Sequence, residues 1–214
     1  MDFNNDNFCT LYIVRHGETE WNAQHIVMGQ KDSPLTELGL KQAEALKKIF
    51  YDVHFDAAYS SDLLRTKRTA EIIALEKNLA IETRQLLRER SYGHFEGKPA
   101  AEYRESIKHL LAKWQKLSDK KRWTFKFSDD IESDAEVAGR FITILREIAA
   151  INQGKTVLIV AHGACLRTFL VHIGFASSSE LPSGSISNGG YVKILSDGLD
   201  FIVKKAVGLK MVKS

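Results

Sequence analysis

Apolar residues fall along this chain in two rhythms, short unbroken runs and longer stretches at helical spacing. Thr10 to Val14 is a short apolar run rich in β-formers and reads as a buried strand. Residues 17–35 show no period and carry Gly17, Gly29 and Pro34 as breakers, so they read as irregular. Thr36 can cap a helix whose apolar positions are Leu38, Ala43, Leu46 and Phe50. Asp56 to Tyr59 predicts a second strand, ending in Ser60-Ser61. A helix follows at once, with Leu64, Ala70 and Ile73 on one face. Residues 80–98 hold a short strand and then the loop Arg88 to Gly97. Tyr103, Ile107, Leu110, Trp114 and Leu117 recur at helical spacing, and residues 119–131 read as a charged, aromatic connection. Ser133 and Glu136 make an S-x-x-E capping box ahead of the stripe Val137, Phe141, Ile144, Ile148, Ile151. Thr156 to Ala161 is the clearest strand, a continuous apolar run suited to a central parallel position. Ala164 to Ile173 reads as the next helix. Tyr191 to Leu195 and Phe201 to Lys205 bracket Ser196-Asp197-Gly198 as a hairpin.

Strands that alternate with helices imply an α/β fold. The expected architecture is a three-layer α/β/α sandwich with a mostly parallel central sheet and a small helical cap. Residues 1–214 form one domain on this reading, with residues 98–131 as the cap insertion.

Composition narrows the function classes. The chain has 214 residues, 44% hydrophobic and 27% charged, enough to bury a core without metal or disulfide support. Cys9 and Cys165 are too few for a disulfide framework, which points to a reducing, cytoplasmic setting. Met1 to Phe8 is polar and acidic, unlike a signal peptide, and no stretch approaches the length of a membrane span. A net charge of +3 argues for no nucleic-acid or membrane partner, so any electropositive character that matters is local. Lys113 to Phe127 does mix lysines with Trp114, Trp123, Phe125 and Phe127. An amphipathic helix and a cap loop explain that composition better than a nucleic-acid patch.

Placed on this frame, the polar residues converge. Arg15-His16 follows the first strand, Ser61 and Arg65 the second, and His162-Gly163 the central one. Ligands in open α/β sheets bind at the carboxyl ends of the strands, so two histidines and two arginines reach one edge. Phosphoryl transfer needs a nucleophile, donors for the equatorial oxygens and a group that manages the leaving-group proton. A neutral imidazole suits the first task, which makes His16 the candidate nucleophile. Arg15 and Arg65 offer forked donors, Asn22 an amide, His162 a further donor if protonated, and the Gly163 N–H a helix-terminal one. Glu89, expected among apolar and aromatic neighbours, is the candidate general acid, with Glu82 and Glu96 as rivals. Cys165 reads as a small buried helix residue. Among the other histidines, His94 is the one within reach of substrate, while His25, His54, His109 and His172 read as surface or core.

The string Arg15-His16-Gly17-Glu18-Thr19 with Trp21-Asn22 resembles the signature of the histidine phosphatase superfamily, also called phosphoglycerate-mutase-like. The resemblance continues in Ser60 to Thr66, in Leu87 to Gly93 with Glu96-Gly97, and in Val160-Ala-His-Gly163. It implies a phosphorylated His16, a phosphate pocket of Arg15, Arg65 and His162, oxygen donors at Asn22 and Gly163, and Glu89 as proton donor. Thr19, Gly29, Arg90 and Tyr92 match substrate-side positions. No metal or cofactor is implied, and the partner is a small-molecule phosphate ester. The blocks look closest to the fructose-2,6-bisphosphatase and TIGAR-type phosphatase branch. The paired-arginine segment of the mutases has only Lys120-Lys-Arg122 as a stand-in, and the family's Gly-Glu-Ser appears as Ile131-Glu132-Ser133. The expected function is phosphomonoester hydrolysis through phosphohistidine. A phosphoglycerate mutase and a non-catalytic phospholigand binder stay open as alternatives, and the chain leaves oligomeric state unread.

Overall fold

The computed structural model describes residues 8–212, so the polar N-terminus up to Asn7 lies outside the described residues. Four strands run parallel: β1 (Cys9–Arg15), β2 (Ala57–Ser60), β3 (Ile81–Thr83) and β4 (Thr156–Ala161). β5 (Ile186–Ser196) runs antiparallel beside β1, and β6 (Phe201–Leu209) antiparallel beside β5. The spatial order is β3-β2-β4-β1-β5-β6, which makes β4 the central parallel strand that its unbroken apolar run predicts.

Alternate side chains of the strands enter two cores. Leu11 and Ile13 of β1 and Val157 and Ile159 of β4 pack with one cluster. It also holds Val137, Phe141, Leu145 and Ile148 of α6 (Asp134–Ile151) and Leu166 and Phe169 of α7 (Gly163–His172). Val14, Leu158 and Val160 face the other cluster, with Leu46 of α2 (Glu37–Ile49) and Ala70 and Ile73 of α3 (Leu64–Ala74). Helices thus cover both faces of the sheet, giving the expected three layers.

The caps read from sequence form as drawn. Thr36 accepts from the Gly39 N–H at 3.0 Å, and Ser133 and Glu136 make the reciprocal box that starts α6. Three apolar assignments differ. Leu38, Leu64 and Ile151 are 51%, 65% and 58% exposed, because each sits in a terminal turn that points past its core. On α3 Ala70 and Ile73 are buried as expected, and Arg65, Thr66, Thr69, Ile72 and Ala74 are buried with them, a partly polar set. Two short helices interrupt segments expected to be irregular: α1 (Glu20–Ala23) and, after α4 (Ala100–Gln115), α5 (Asp119–Trp123). On α4 only Ile107 is buried, so its apolar stripe covers little. Among the described residues no helix is long and apolar enough to cross a membrane.

The backbone after β1 needs glycine for close approach. A Cβ on Gly17 would lie 2.4 Å from the Gly39 carbonyl oxygen, and one on Gly39 would lie 2.0 Å from the Glu18 carbonyl oxygen. The first turn of α2 therefore rests directly on the peptide that carries His16.

Candidate active site

His16 leaves the end of β1 with its main chain tied on both sides. Its N–H donates to the Ala161 carbonyl of β4 at 3.1 Å, and its own carbonyl accepts from Asn188 Nδ2 at 3.1 Å. The ring is 3% exposed, and Nδ1 stands 2.7 Å from the Gly17 carbonyl oxygen. A carbonyl can only accept, so in the neutral ring the proton lies on Nδ1 and Nε2 keeps its lone pair. Burial, then the charges of Arg65 and Arg15, hold the His16 pKa well below the ordinary 6.5, although the bond to Gly17 opposes them. The ring is neutral across the physiological range.

His162 caps α7 at the end of β4, with its ring centroid 5.3 Å from that of His16. Its Nε2 lies 2.8 Å from Ser61 Oγ, at the end of β2. Thr66 Oγ1 gives its one proton to the Leu63 carbonyl at 2.7 Å, so in the 2.7 Å bond between the two hydroxyls Ser61 donates, and Ser61 Oγ is left to accept from Nε2–H. That puts the proton of the neutral His162 ring on Nε2 and leaves Nδ1 a buried lone pair with no partner among the described residues. Burial first, then Arg65, His16, Arg140 and Arg15, also hold this imidazole well below its ordinary pKa. His162 is therefore neutral at pH 7, and its free Nδ1 donates only on taking up a proton, the condition under which the sequence names it a donor.

Arg65 is 1% exposed. Its Nη1 donates to the Lys31 carbonyl at 2.7 Å and Asp32 Oδ1 at 3.0 Å, and its Nη2 to the Gly29 carbonyl at 2.7 Å. Its Nε has no partner among the described residues. Arg15 donates through Nη1 to the Ile186 carbonyl and likewise leaves a buried Nε unpaired. A Cβ on Gly163 would stand 3.1 Å from that Nε, so Gly163 lets α7 begin against Arg15. Two buried N–H donors, on Arg15 and Arg65, thus act on the two imidazoles and have no acceptor among the described residues, and His162 Nδ1 joins them when protonated. That is the donor set a small oxyanion requires.

Glu89 sits among amides rather than apolar groups. Its Oε2 accepts from the Ala164 N–H at 3.0 Å, and its Oε1 from the Cys165 and Arg90 N–H groups at 3.2 and 2.8 Å. The carboxylate occupies the start of α7 beside the Gly163 position assigned to an anion. The Cys165 thiol donates to the Arg88 carbonyl at 3.0 Å, and burial pushes its pKa far up.

The remaining sequence candidates divide. Asn22 ends the capping box of α1: its amide oxygen accepts from Thr19 N–H and Asn188 Nδ2, both at 3.2 Å, so only its amide nitrogen is available to a ligand. Thr19 is fully buried and its hydroxyl accepts from the Asn22 N–H, which makes it a support for Asn22. Gly29, at φ +54°, contributes a carbonyl to Arg65. Arg90 is paired with Asp134, which also lies 3.6 Å from Arg167 Nη1. The Tyr92 ring meets Tyr103 edge-on at 5.5 Å, and burial pushes its phenol up. His94 is exposed and bonds Asp130 at 2.8 Å. Arg122, within the mutase stand-in, lies 4.9 Å over the Trp114 ring and donates to the Trp114 and Gln115 carbonyls, so it is held against the end of α4.

Sequence reasoning missed four residues that position the others. Asn188 ties Asn22 to His16, Asp32 pairs with Arg65, and Glu132 and Arg140 hold the Glu89 loop. A cavity of about 420 Å³ adjoins Arg65 from another side, lined by Asp32, Pro34, Leu35, Leu64 and Lys67. It includes neither imidazole, so convergent donors identify the site here, not concavity.

Residues 11–206 match the family described as "Histidine phosphatase superfamily (branch 1)". A protein of Bacillus subtilis (strain 168), "Uncharacterized phosphatase PhoE", is 34% identical over 176 residues, covering 82% of each chain. "Probable phosphoglycerate mutase GpmB" of Yersinia pestis (strain Pestoides F) is 34% identical over 160 residues, covering 75% of this chain and 72% of its own. The solved structure "Bacillus stearothermophilus YhfR" superposes with a TM-score of 0.79 at 31% identity, covering 92% of this chain and 95% of the other.

Proposed function

The chain belongs to branch 1 of the histidine phosphatase superfamily, and we propose that it hydrolyses phosphomonoesters of small metabolites through a covalent phosphohistidine at His16. One observation carries this reading: the bond from His16 Nδ1 to the Gly17 carbonyl, which leaves Nε2 with its lone pair inside a cluster of cations. Nε2 forms a bond to phosphorus as the ester P–O bond breaks, and the leaving oxygen takes the proton of the Glu89 carboxyl. Water then attacks the phosphohistidine and gives a proton to the Glu89 carboxylate, releasing inorganic phosphate and the free imidazole. The Nε atoms of Arg15 and Arg65 and the Asn22 amide donate to the phosphoryl oxygens as charge shifts onto them, and His162 Nδ1 does so once it takes up a proton. The three amides that hold Glu89 suit the carboxylate, the form the second step uses.

Two features favour a phosphatase over a mutase. Arg122 is bound to its own cap segment, and the Arg90 charge is met by Asp134, so neither is an open cation for a second substrate anion. The curated relative named as a phosphatase is similar over most of the chain. We assign the chain to the phosphatase side of the family, near the fructose-2,6-bisphosphatase type, and to the cytoplasm, where the buried free thiols Cys9 and Cys165 fit a reducing environment. The mutase reading draws on Tyr92 beside Glu89 and on the mutase-named relative. The test is phosphate release across a panel of sugar phosphates, phosphoglycerates and other phosphate esters, run beside 3-phosphoglycerate with a bisphosphoglycerate primer. Phosphate release faster than isomer interconversion is expected, and the reverse order overturns the choice.

A further inference from the structure

Arg140 of α6 uses all five of its N–H donors at once. Nε and Nη2 grip the Glu132 carboxylate at 2.7 and 2.8 Å. Nη1 donates to the carbonyls of Leu86, at 3.0 Å, and Arg88, at 2.5 Å, and Nη2 to that of Glu89 at 2.9 Å. Glu132 passes the hold onward, accepting from the Ser91 N–H at 2.8 Å, while its own N–H donates to the Ser91 carbonyl at 3.1 Å. The backbone from residue 86 to residue 91 has little ladder of its own, so this pair supplies many of its fixed bonds. Glu89 lies in the middle of the held stretch. Its side chain reaches α7 only if its own peptide stays where Arg140 and Ser91 place it.

We propose that Arg140 and Glu132 are positioning residues that aim Glu89 at the leaving oxygen, acting through the backbone of residues 86–91. The proposal rests on the phosphatase reading with Glu89 as proton donor. A planar fork is needed, because an ammonium with three donors cannot reach three carbonyls and both carboxylate oxygens. Neither side chain touches the phosphoryl group, so their loss should affect proton delivery and spare phosphate binding.

Aryl phosphates separate the two effects. 4-Nitrophenolate leaves without help, whereas the less acidic phenol needs a proton. Wild type, Arg140→Ala, Glu132→Gln and Glu89→Gln would be assayed on 4-nitrophenyl phosphate and phenyl phosphate, with the inhibition constant for inorganic phosphate measured alongside. Arg140→Ala should lose about tenfold more kcat on phenyl phosphate than on the nitrophenyl ester, in the same direction as Glu89→Gln. Its inhibition by phosphate should stay near the wild-type value. Millimolar guanidinium should restore part of the phenyl phosphate rate. Glu132→Gln keeps the Arg140 carbonyl bonds, and so remains folded should the alanine variant fail; it should show the same bias more weakly. Equal losses on both esters, or a bias in neither variant, would overturn the proposal. Absence of phosphate release by the wild type would count instead against the phosphatase reading, which keeps the two failures apart.

Discussion

Arg65 Nη1 lies 3.0 Å from Asp32 Oδ1, and the other oxygen of Asp32 accepts from the Leu64 N–H at 2.8 Å. One carboxylate therefore starts α3 and turns the guanidinium of the next residue, so that Nε is the donor left for a ligand. Removing Asp32 leaves a nearly inaccessible cation with two carbonyls and, of the two carboxylates whose charge acts on it, only Glu89. Asp32→Ala should lower stability by ~1–3 kcal/mol, read by thermal or urea unfolding, and should weaken inhibition by inorganic phosphate. Phosphate affinity equal to wild type would mean that Arg65 needs no such support.

Acid should destabilise the protein through its two buried imidazoles. Both His16 and His162 have pKa values below the ordinary 6.5 in the folded chain. The unfolded chain takes up those protons first as pH falls, so their contribution is complete above that value and declines as pH drops toward the lowered folded values. Each imidazole adds a slope of more than ~1 kcal/mol per pH unit within that window. Urea unfolding at a series of pH values checks this, and His162→Asn should give the shallower profile.

Ser61 sets the proton of His162. Ser61→Ala removes the acceptor 2.8 Å from Nε2 and frees the ring to carry its proton on Nδ1 instead. A fall in kcat/KM of about tenfold, or ~1.4 kcal/mol of transition-state stabilisation, is expected with little change in melting temperature. A two-dimensional ¹⁵N spectrum of the histidine side chains would show the tautomer directly.

Gly39→Ala tests the contact between α2 and the His16 peptide. The new methyl would stand 2.0 Å from the Glu18 carbonyl oxygen, against the Glu18 backbone. Overpacking of this kind costs about 1–3 kcal/mol, and here the shift falls on the chain beside His16. Turnover should therefore drop together with the melting temperature.

The parts of this site that follow from local pattern were legible. β1, β4 and the caps at Thr36 and Ser133 come from runs and spacings of a few residues, and the strand ends then deliver His16, Arg65 and His162 to one edge. The helices α1 and α5 span four and five residues, too short to show a period. From sequence, Glu89 is expected among apolar and aromatic neighbours. Its partners in space are the first amides of α7, some 75 residues on. Asn188 and Asn22 lie 166 residues apart, and Glu132 and Arg140 sit eight apart with a helix start between them. No helical or strand spacing flags either pair, so only the fold reveals them.

The most direct test of the account is capture of the phosphoenzyme. Brief incubation with a ³²P-labelled substrate, followed by alkaline quench and peptide mapping, should place an acid-labile, base-stable label on His16. His16→Ala should take up no label and release no phosphate. Label on another residue, or undiminished turnover by His16→Ala, would contradict the assignment of His16 as the nucleophile.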